Sequence, residues 1–99
     1  MSHWESIWIS QLIVPLHVAL KIDAKHGIDI AEIRLLAIGQ RNLVAQKVRS
    51  EQHGTRYVIA LKVSKRSIYL LYVDKYENDD SVWVLRTAMR ASHPSQFRR

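Results

Sequence analysis

Three cationic side chains stand on two apolar, strand-like segments of the chain: Arg56, Lys62 and Arg86. Alternate residues of a strand point to opposite faces of a sheet, so Arg56 and Lys62 share one face of the first segment. The same alternation in the second segment puts Arg86 on one face with Arg90. Cations held together on a sheet face can bind an anion such as a phosphate. We therefore expect Arg56, Lys62 and Arg86 to converge on a shared anion site; the alternative is that they are ordinary solvated strand residues.

The charge of the chain is strongly positive and unevenly distributed. The formal net charge is +6 and the pI is near 10.0. Seven basic residues lie from Arg41 to Arg66, and Glu51 is the only acid among them. Segregated positive charge favours an anionic partner, which is a nucleic acid, an acidic protein or a membrane surface. Five further cations are predicted to contact such a partner: Lys47, Arg49, Lys65, Arg66 and Arg90.

Two histidines are candidates for proton transfer, because an imidazole changes its charge near neutral pH. His53 lies in a turn beside the basic strand ends, and His26 immediately precedes Gly27. The alternative role of His26 is structural, with its side chain satisfying carbonyl groups at the end of a helix. The other histidines stand at no metal-ligand spacing and the chain has no cysteine, so we expect neither a metal site nor a cofactor.

The lack of cysteine also rules out a disulfide framework and is typical of a reducing, cytoplasmic setting. The N-terminal stretch MSHWESIWISQLIV has no basic region before its apolar residues, and it is too short and polar to span a bilayer. It fits neither a signal peptide nor a membrane anchor. We therefore expect a cytoplasmic protein that has no membrane partner.

The candidate side chains are positioned by three apolar runs between Thr55 and Arg90, separated by polar turns at 64–66 and 77–80. Their β-branched and aromatic residues predict an antiparallel meander, preceded by a first strand from Leu43 to Arg49. The run from Ile68 to Val73 is apolar on both faces, which predicts a strand covered on both sides. We expect the helices to cover two bulky faces: Tyr57, Ile59, Leu61 and Val63, and Trp83, Leu85, Thr87 and Met89.

Two helices are predicted before the strands. Pro15 favours the first turn of a helix that we expect to run through Lys25 and to be capped by Gly27. Asp29 opens a second helix, because Glu32 stands at the spacing of a capping box. Apolar residues then recur at helical spacing before the first strand begins.

The predicted fold is a single α+β domain over residues 1–99, with two N-terminal helices packed on an antiparallel four-stranded sheet. Residues 1–13 form an N-terminal segment whose periodicity suits either a helix or a strand, and residues 92–99 form a flexible tail. The second face of the sheet needs cover from the N-terminal segment, another subunit or a partner. Trp4 and Trp8 are the candidates for an interface, because a small domain rarely exposes two indoles. We therefore expect a homo- or hetero-oligomer.

Short segments occur in an ordered series along the chain: Lys25-His26-Gly27-Ile28, Glu32-Ile33, Arg56-Tyr57, Arg66 and Thr87-Ala88. The first two are similar to the KHG-[VI]-x-x-x-E-[VI] segment of BrnT-like toxins in the RelE superfamily, and the others follow in that family's order. The resemblance covers roughly residues 13–91. It implies two helices followed by an antiparallel sheet, and an RNA-cleaving toxin that is neutralised by a ribbon-helix-helix antitoxin.

The end of the last strand departs from the family pattern. Such toxins usually read Ser/Thr-Ala-Arg there, whereas this chain has Met89 after Thr87-Ala88 and places Arg90 one position later. The C-terminal helix of the family is missing or reduced to Ser95–Arg99. These departures bear on catalysis and leave the expected fold unchanged.

The resemblance implies that the predicted anion site acts on RNA. Arg56, Lys62 and Arg86 then become the candidate catalytic residues of a metal-independent endoribonuclease, because preorganised cations stabilise the charge that develops on the phosphate. The expected function is a toxin-type RNA-cleaving or RNA-binding protein of a bacterial toxin–antitoxin system, and whether it is an enzyme stays open. The alternative is a non-catalytic binding or assembly module that uses the same fold and basic sheet face, which the Met89 departure favours.

Overall fold

The computed structural model describes residues 4–52, 54–65, 67–76 and 79–91. Within this part of the chain, six strands form one sheet and two helices pack on one of its faces. In chain order the elements are β1 (Trp4–Ile7), β2 (Gln11–Ile13), α1 (Leu16–His26), α2 (Ile30–Ala37), β3 (Leu43–Ser50), β4 (Gly54–Lys62), β5 (Ile68–Tyr76) and β6 (Asp79–Ala91).

The strands are ordered β1-β3-β4-β5-β6-β2 across the sheet. Neighbours from β1 to β6 pair antiparallel, and β2 pairs with β6 in parallel. The predicted first strand and meander are present as β3–β6. The predicted antiparallel four-stranded sheet is nevertheless wrong, because β1 and β2 make the sheet six-stranded and mixed. These two strands satisfy the open edges of β3 and β6, and local periodicity carries no information on such distant partners.

The two N-terminal strands lie on opposite edges of the sheet although only residues 8–10 separate them. Four residue steps reach at most about 14 Å, whereas five strand spacings of a flat sheet span about 24 Å. The sheet therefore curls until its edges approach each other at this end. Three hydrogen bonds hold the main chain of the connection: Trp83 Nε1 donates to Trp8 O at 3.1 Å, Ser10 N to Ser81 O at 2.8 Å, and Gly39 N to Ile9 O at 2.9 Å.

Both helices begin and end close to the residues that local signals predict. Pro15 precedes α1, and Gly27 ends it with a left-handed φ of 61°, a conformation that glycine adopts without steric cost. The Asp29 side chain accepts a hydrogen bond from Ala31 N at 3.0 Å and so caps α2. No helix in the described part of the chain is long and apolar enough to cross a membrane.

The main core lies between the helices and one face of the sheet. Val18 and Ile22 of α1 and Ile33 of α2 are buried there. The sheet contributes buried side chains from five strands and the β1–β2 connection: Ile9, Leu12, Leu43, Ala45, Tyr57, Ile59, Leu61, Tyr69, Leu71, Val73, Trp83, Leu85 and Ala88. The helix-facing positions predicted for β4 and for Trp83 and Leu85 are therefore confirmed.

The alternation of β6 is interrupted at Arg86. Val73 pairs with Leu85, but the preceding Tyr72 pairs with Thr87, so Arg86 is the additional residue of a β-bulge. Beyond it the faces are exchanged: Ala88 enters the main core, and Met89 packs on the opposite side of the sheet. The prediction that Thr87 and Met89 face the helices is wrong for this reason, as is the placement of Arg86 and Arg90 on one face.

The face of the sheet opposite the helices carries a second apolar cluster. Its buried members are Val58, Ile68, Leu70 and Ala91, with Ala60, Tyr72 and Met89 packed against them. Strand β5 thus has buried side chains on both of its faces, as its composition predicts. The indole of Trp8 is 48% exposed, while Trp4 is half-buried beside Gln46 at the edge of the sheet. The predicted tail at 92–99 lies outside the described residues.

Candidate anion-binding site

A cavity of about 570 Å³ lies between helix α1 and strands β4 and β6; we call it the α1–β6 cavity. Its lining residues are His17, Val18, Lys21, Ile22, Lys25, His26, Arg56, Arg86, Thr87 and Met89. Four of them are permanent cations near neutral pH and two are histidines. None of the lining residues within the described chain is a carboxylate, which suits the cavity to an anion.

Helix α1 contributes one row of basic side chains to the α1–β6 cavity. His17, Lys21 and Lys25 recur every four residues, so they lie one above the other on the same side of the helix. Asp23, the acid of this helix, lines a different groove with Leu20 and Gly27. Like charges at this spacing repel by a few tenths of a kcal/mol per pair. An anion in the cavity would relieve that repulsion.

Strands β4 and β6 contribute two guanidinium groups that meet on one carboxylate. Arg86 Nε donates to Asp74 Oδ2 at 2.6 Å, and Arg56 Nε lies 3.6 Å from Asp74 Oδ1. The second distance is too long for a hydrogen bond, and both of its atoms are buried without a hydrogen-bond partner among the described residues. The contact is therefore one of charge alone. Both arginines approach Asp74 through Nε, and each guanidinium has further N–H groups that can donate to a ligand.

The charges around the α1–β6 cavity do not cancel. The four lining cations and the Asp74 carboxylate leave a net charge of +3, before any proton on the histidines is counted. Asp74 is only 24% exposed and sits between two guanidinium groups, so it holds them in place. The bulge at Arg86 lets its side chain reach this position, because a bulge redirects the side chain of the additional residue.

The structure does not bring Lys62 to the other two predicted catalytic residues. Lys62 stands six positions after Arg56 on β4, which corresponds to about 20 Å along the strand. Lys65 follows in the turn after β4, beyond Lys62 in the chain, and it is not among the residues that line the cavity. The expected convergence of three cations is thus reduced to the pair Arg56 and Arg86.

The cations predicted on β3 have other surroundings. Lys47 pairs across the strands with Tyr57, on the helix-facing side of the sheet, and its ammonium group lies 5.7 Å from the centre of that ring. Arg49 pairs with Thr55 and is exposed at the end of the same side. Lys47 and Arg49 pair with the two neighbours of Arg56 in β4, so their side chains lie on the opposite face of the sheet from Arg56. They therefore do not extend the cavity. Arg66 and His53 lie outside the described residues.

Arg90 has a structural role at the end of helix α1. Its Nε donates to His26 O at 3.2 Å and its Nη2 to Gly27 O at 3.1 Å, and its guanidinium lies 5.7 Å from the ring centre of Tyr69. A cation at the C-terminus of a helix satisfies free carbonyl groups and offsets the helix dipole. Arg90 therefore does for α1 what sequence reasoning assigned to His26, whose side chain lines the cavity instead.

The ring that Arg90 covers belongs to a second polar contact. The hydroxyl of Tyr69 donates to Glu32 Oε1 at 2.6 Å and so ties β5 to α2. Burial, and then the hydrogen bond to Glu32, raise the pKa of the Tyr69 hydroxyl above its ordinary value. Glu32 thus serves the packing of α2 on the sheet.

Sequence reasoning missed three of the residues that line the cavity. The sequence pattern gives His17 no metal-ligand spacing, and it assigns no binding role to Lys21 or Lys25. Their spacing of four is visible in the sequence and predicts a single basic row. What the sequence does not reveal is that this row faces Arg56 and Arg86 across a cavity, since that requires the packing of α1 beside β6.

Comparison with known proteins adds no relative: the chain matches no family model, no curated protein and no solved structure. Among the described residues, no three histidine, aspartate or glutamate side chains stand close enough together to hold a metal ion. The chemistry of the site therefore has to be argued from the α1–β6 cavity itself.

Proposed function

We propose that this chain is an RNA-binding protein of the toxin type and that it holds an RNA phosphate in the α1–β6 cavity. The proposal rests on one observation: four cationic side chains from α1, β4 and β6 converge there, and no lining residue of the described chain is a carboxylate. The neighbouring Asp74 of β5 lowers the net charge to +3. Guanidinium groups match phosphate oxygens in geometry, and ammonium groups add charge from several directions. The ordered motifs from Lys25-His26-Gly27 to Thr87-Ala88 support RNA as the source of the phosphate.

RNA cleavage is a second candidate function, favoured by the position of two histidines. His17 and His26 line the same cavity as Arg56 and Arg86. His17 and His26 stand nine residues apart on α1, about 13 Å along its axis, so one of them would serve a given phosphate. That imidazole would take the proton of a 2′-hydroxyl, and a water molecule would protonate the departing 5′-oxygen. The 2′-oxygen would attack phosphorus as the bond to the 5′-oxygen breaks, which yields a 2′,3′-cyclic phosphate and a 5′-hydroxyl. The guanidinium pair would stabilise the charge on the phosphate.

Binding is tested with a fluorescent single-stranded RNA, whose anisotropy is recorded across a series of salt concentrations. We expect affinity to fall steeply with salt, because phosphate binding releases counterions. Replacing Lys21 and Lys25 together by alanine should weaken binding at least about tenfold and should reduce the salt slope by about one for each lost contact. The matched control replaces Lys62 and Lys65, which lowers the net charge equally but leaves the cavity intact.

A larger loss in the cavity variant than in the control supports the proposal. Equal losses in the two variants would mean that RNA responds only to overall charge, and the α1–β6 cavity would lose its role. Tighter binding to an acidic peptide than to RNA, again dependent on Lys21 and Lys25, would favour the alternative of a protein-binding module.

Cleavage is tested by incubating the protein with labelled RNA and separating the products. If the protein cleaves, Arg86→Ala should reduce the rate roughly a hundredfold, because loss of a preorganised contact to the transition state costs about 2–4 kcal/mol. A substrate with a single 2′-deoxy position should resist cleavage there. RNA that stays intact with the wild-type protein would leave binding as the function, and a rate unchanged by Arg86→Ala would remove Arg86 from the site.

A further inference from the structure

We infer that the α1–β6 cavity recognises a terminal phosphate monoester rather than the internal phosphodiesters of a strand. The inference rests on the proposed binding function and not on the candidate cleavage function, and it specifies which phosphate the cavity takes. A 5′-phosphorylated end, a 3′-phosphorylated end and a free nucleotide all present this group, so the chemistry is shared among them.

The first argument is the shape of the site. A cavity of about 570 Å³ lies within the 300–1,000 Å³ range of small-molecule pockets. Proteins that follow a nucleic-acid backbone use an extended groove with cations along it and aromatic platforms for the bases. Here the cations are clustered at one place, and Val18, Ile22 and Met89 form apolar walls beside them.

The second argument is that the described cations do not continue the cavity as a track. Lys62 lies about 20 Å along β4 from Arg56. Lys47 contacts the Tyr57 ring on the other face of the sheet, and Arg90 is engaged with carbonyl groups at the end of α1. An RNA strand that crossed this surface would meet clustered positive charge only at the cavity. A phosphorylated chain end matches this arrangement, because the terminal phosphate carries more negative charge than any internal one.

The third argument is the balance of charge. A phosphodiester carries one negative charge, whereas a phosphate monoester carries nearly two near neutral pH and presents three terminal oxygens instead of two. The net charge of +3 around the cavity exceeds what a diester neutralises. The Lys21 and Lys25 ammonium groups and the terminal Nη groups of Arg86 offer donors for all three oxygens. Asp74 fixes Arg56 and Arg86 before the ligand arrives, so less freedom is lost on binding.

The inference is tested with one RNA sequence prepared in three forms: with a 5′-phosphate, with a 3′-phosphate, and with hydroxyl groups at both ends. We expect one of the phosphorylated forms to bind at least about tenfold more tightly than the hydroxyl form. A nucleoside monophosphate carrying its phosphate at the same position should compete for the site, and inorganic phosphate should compete more weakly. The preference should disappear in the Lys21→Ala/Lys25→Ala variant and persist in the Lys62→Ala/Lys65→Ala control.

Equal affinity for all three RNA forms would overturn the inference, and salt-dependent binding that requires Lys21 and Lys25 would then still support the proposed function. Binding of a nucleoside monophosphate without binding of any RNA would contradict the proposed function and support monoester recognition. A preference for phosphorylated ends that survives in the cavity variant would also overturn the inference, because the end would then be recognised elsewhere. Thermal unfolding of each variant distinguishes loss of a contact from loss of the fold.

Discussion

Replacing Asp74 by asparagine should strengthen RNA binding while it weakens the fold. Asp74 lies between Arg56 and Arg86 and cancels one of the charges that surround the α1–β6 cavity. Asparagine keeps the shape of the side chain and an oxygen that accepts from Arg86 Nε, but it removes the negative charge. The two effects have opposite signs because the carboxylate stabilises the guanidinium pair and repels the ligand.

Both magnitudes follow from general energies of charge interactions and hydrogen bonds. At a separation of about 8 Å and an effective dielectric constant of about 40, the repulsion between Asp74 and a phosphate is roughly 1 kcal/mol, so its removal should tighten binding about two- to fivefold. A hydrogen bond to a charged group is worth about 1.5–3 kcal/mol. The Arg86 and Asp74 side chains are 42% and 24% exposed, so solvent screening reduces the loss of stability to about 1 kcal/mol. That corresponds to a melting temperature about 4–8 °C lower.

The assay is RNA anisotropy at low salt, with thermal unfolding of the same preparations. Asp80→Asn is the matched control, since it changes the net charge equally at a side chain that is 98% exposed and pairs with Lys75 away from the cavity. We expect it to leave the affinity within about twofold of wild type. If Asp74→Asn remains folded and binds RNA more weakly than wild type, then the carboxylate matters more for orienting the arginines than for its charge, and the electrostatic reasoning is refuted.

Three further predictions concern the contacts that support the site. Arg90→Ala should lower the free energy of unfolding by about 1–2 kcal/mol, because α1 loses two hydrogen bonds to its terminal carbonyl groups. RNA affinity should stay nearly unchanged. Urea unfolding and RNA anisotropy check these two results, and a large loss of affinity would mean that Arg90 belongs to the binding site. The raised pKa of Tyr69 means that its contribution to stability is present below about pH 10 and is lost as pH rises towards the folded-state pKa. Tyr69→Phe should therefore be less stable than wild type at pH 8, and the difference should shrink at pH 11; a constant difference in urea unfolding would contradict the assignment. Asp29→Ala should cost about 1 kcal/mol of stability, because it removes the cap of α2, whereas Asp29→Asn should cost little; equal losses would show that the cap bond is not the cause.

The helix ends are set by nearby residues and can therefore be predicted from the sequence. Pro15, Gly27 and Asp29 act through their own backbone preferences or through a neighbouring amide, so the sequence predicts the helix ends closely. The meander is predicted for a similar reason, since its strands are adjacent in the chain and separated by polar turns. Strands β1 and β2 escape prediction because neither has a partner nearby in sequence. Their short apolar stretches acquire a definite structure only from the edges of β3 and β6.

The residues of the candidate site also fall into those that local sequence patterns predict and those that only tertiary packing brings together. Arg56 and Arg86 can be paired from the sequence because each stands in a clear strand, and the structure brings them together on Asp74. Lys62 is grouped with them by alternation, which reports the face of a sheet and not the position along it, and the structure places it about 20 Å along β4 from Arg56. The bulge at Arg86 reverses the faces that follow, and no glycine, proline, asparagine, aspartate or serine between Val82 and Ala91 marks its position in the sequence. The basic row of α1 lines the cavity only because the helix packs beside β6, and the alternation of residues within strands gives no information on that packing.

The curled sheet, whose opposite edges are joined by residues 8–10, has a consequence for the order in which the chain folds. Gln11 pairs with Val82, 71 positions later, so at a synthesis rate of about 5–20 residues per second β2 waits roughly 4–14 s for its partner. During that time β2 has no sheet edge to join, while helices and hairpins formed from nearby residues assemble much faster. Strand β2 therefore docks late, and until it docks the β6 edge of the meander remains open to pairing with other chains.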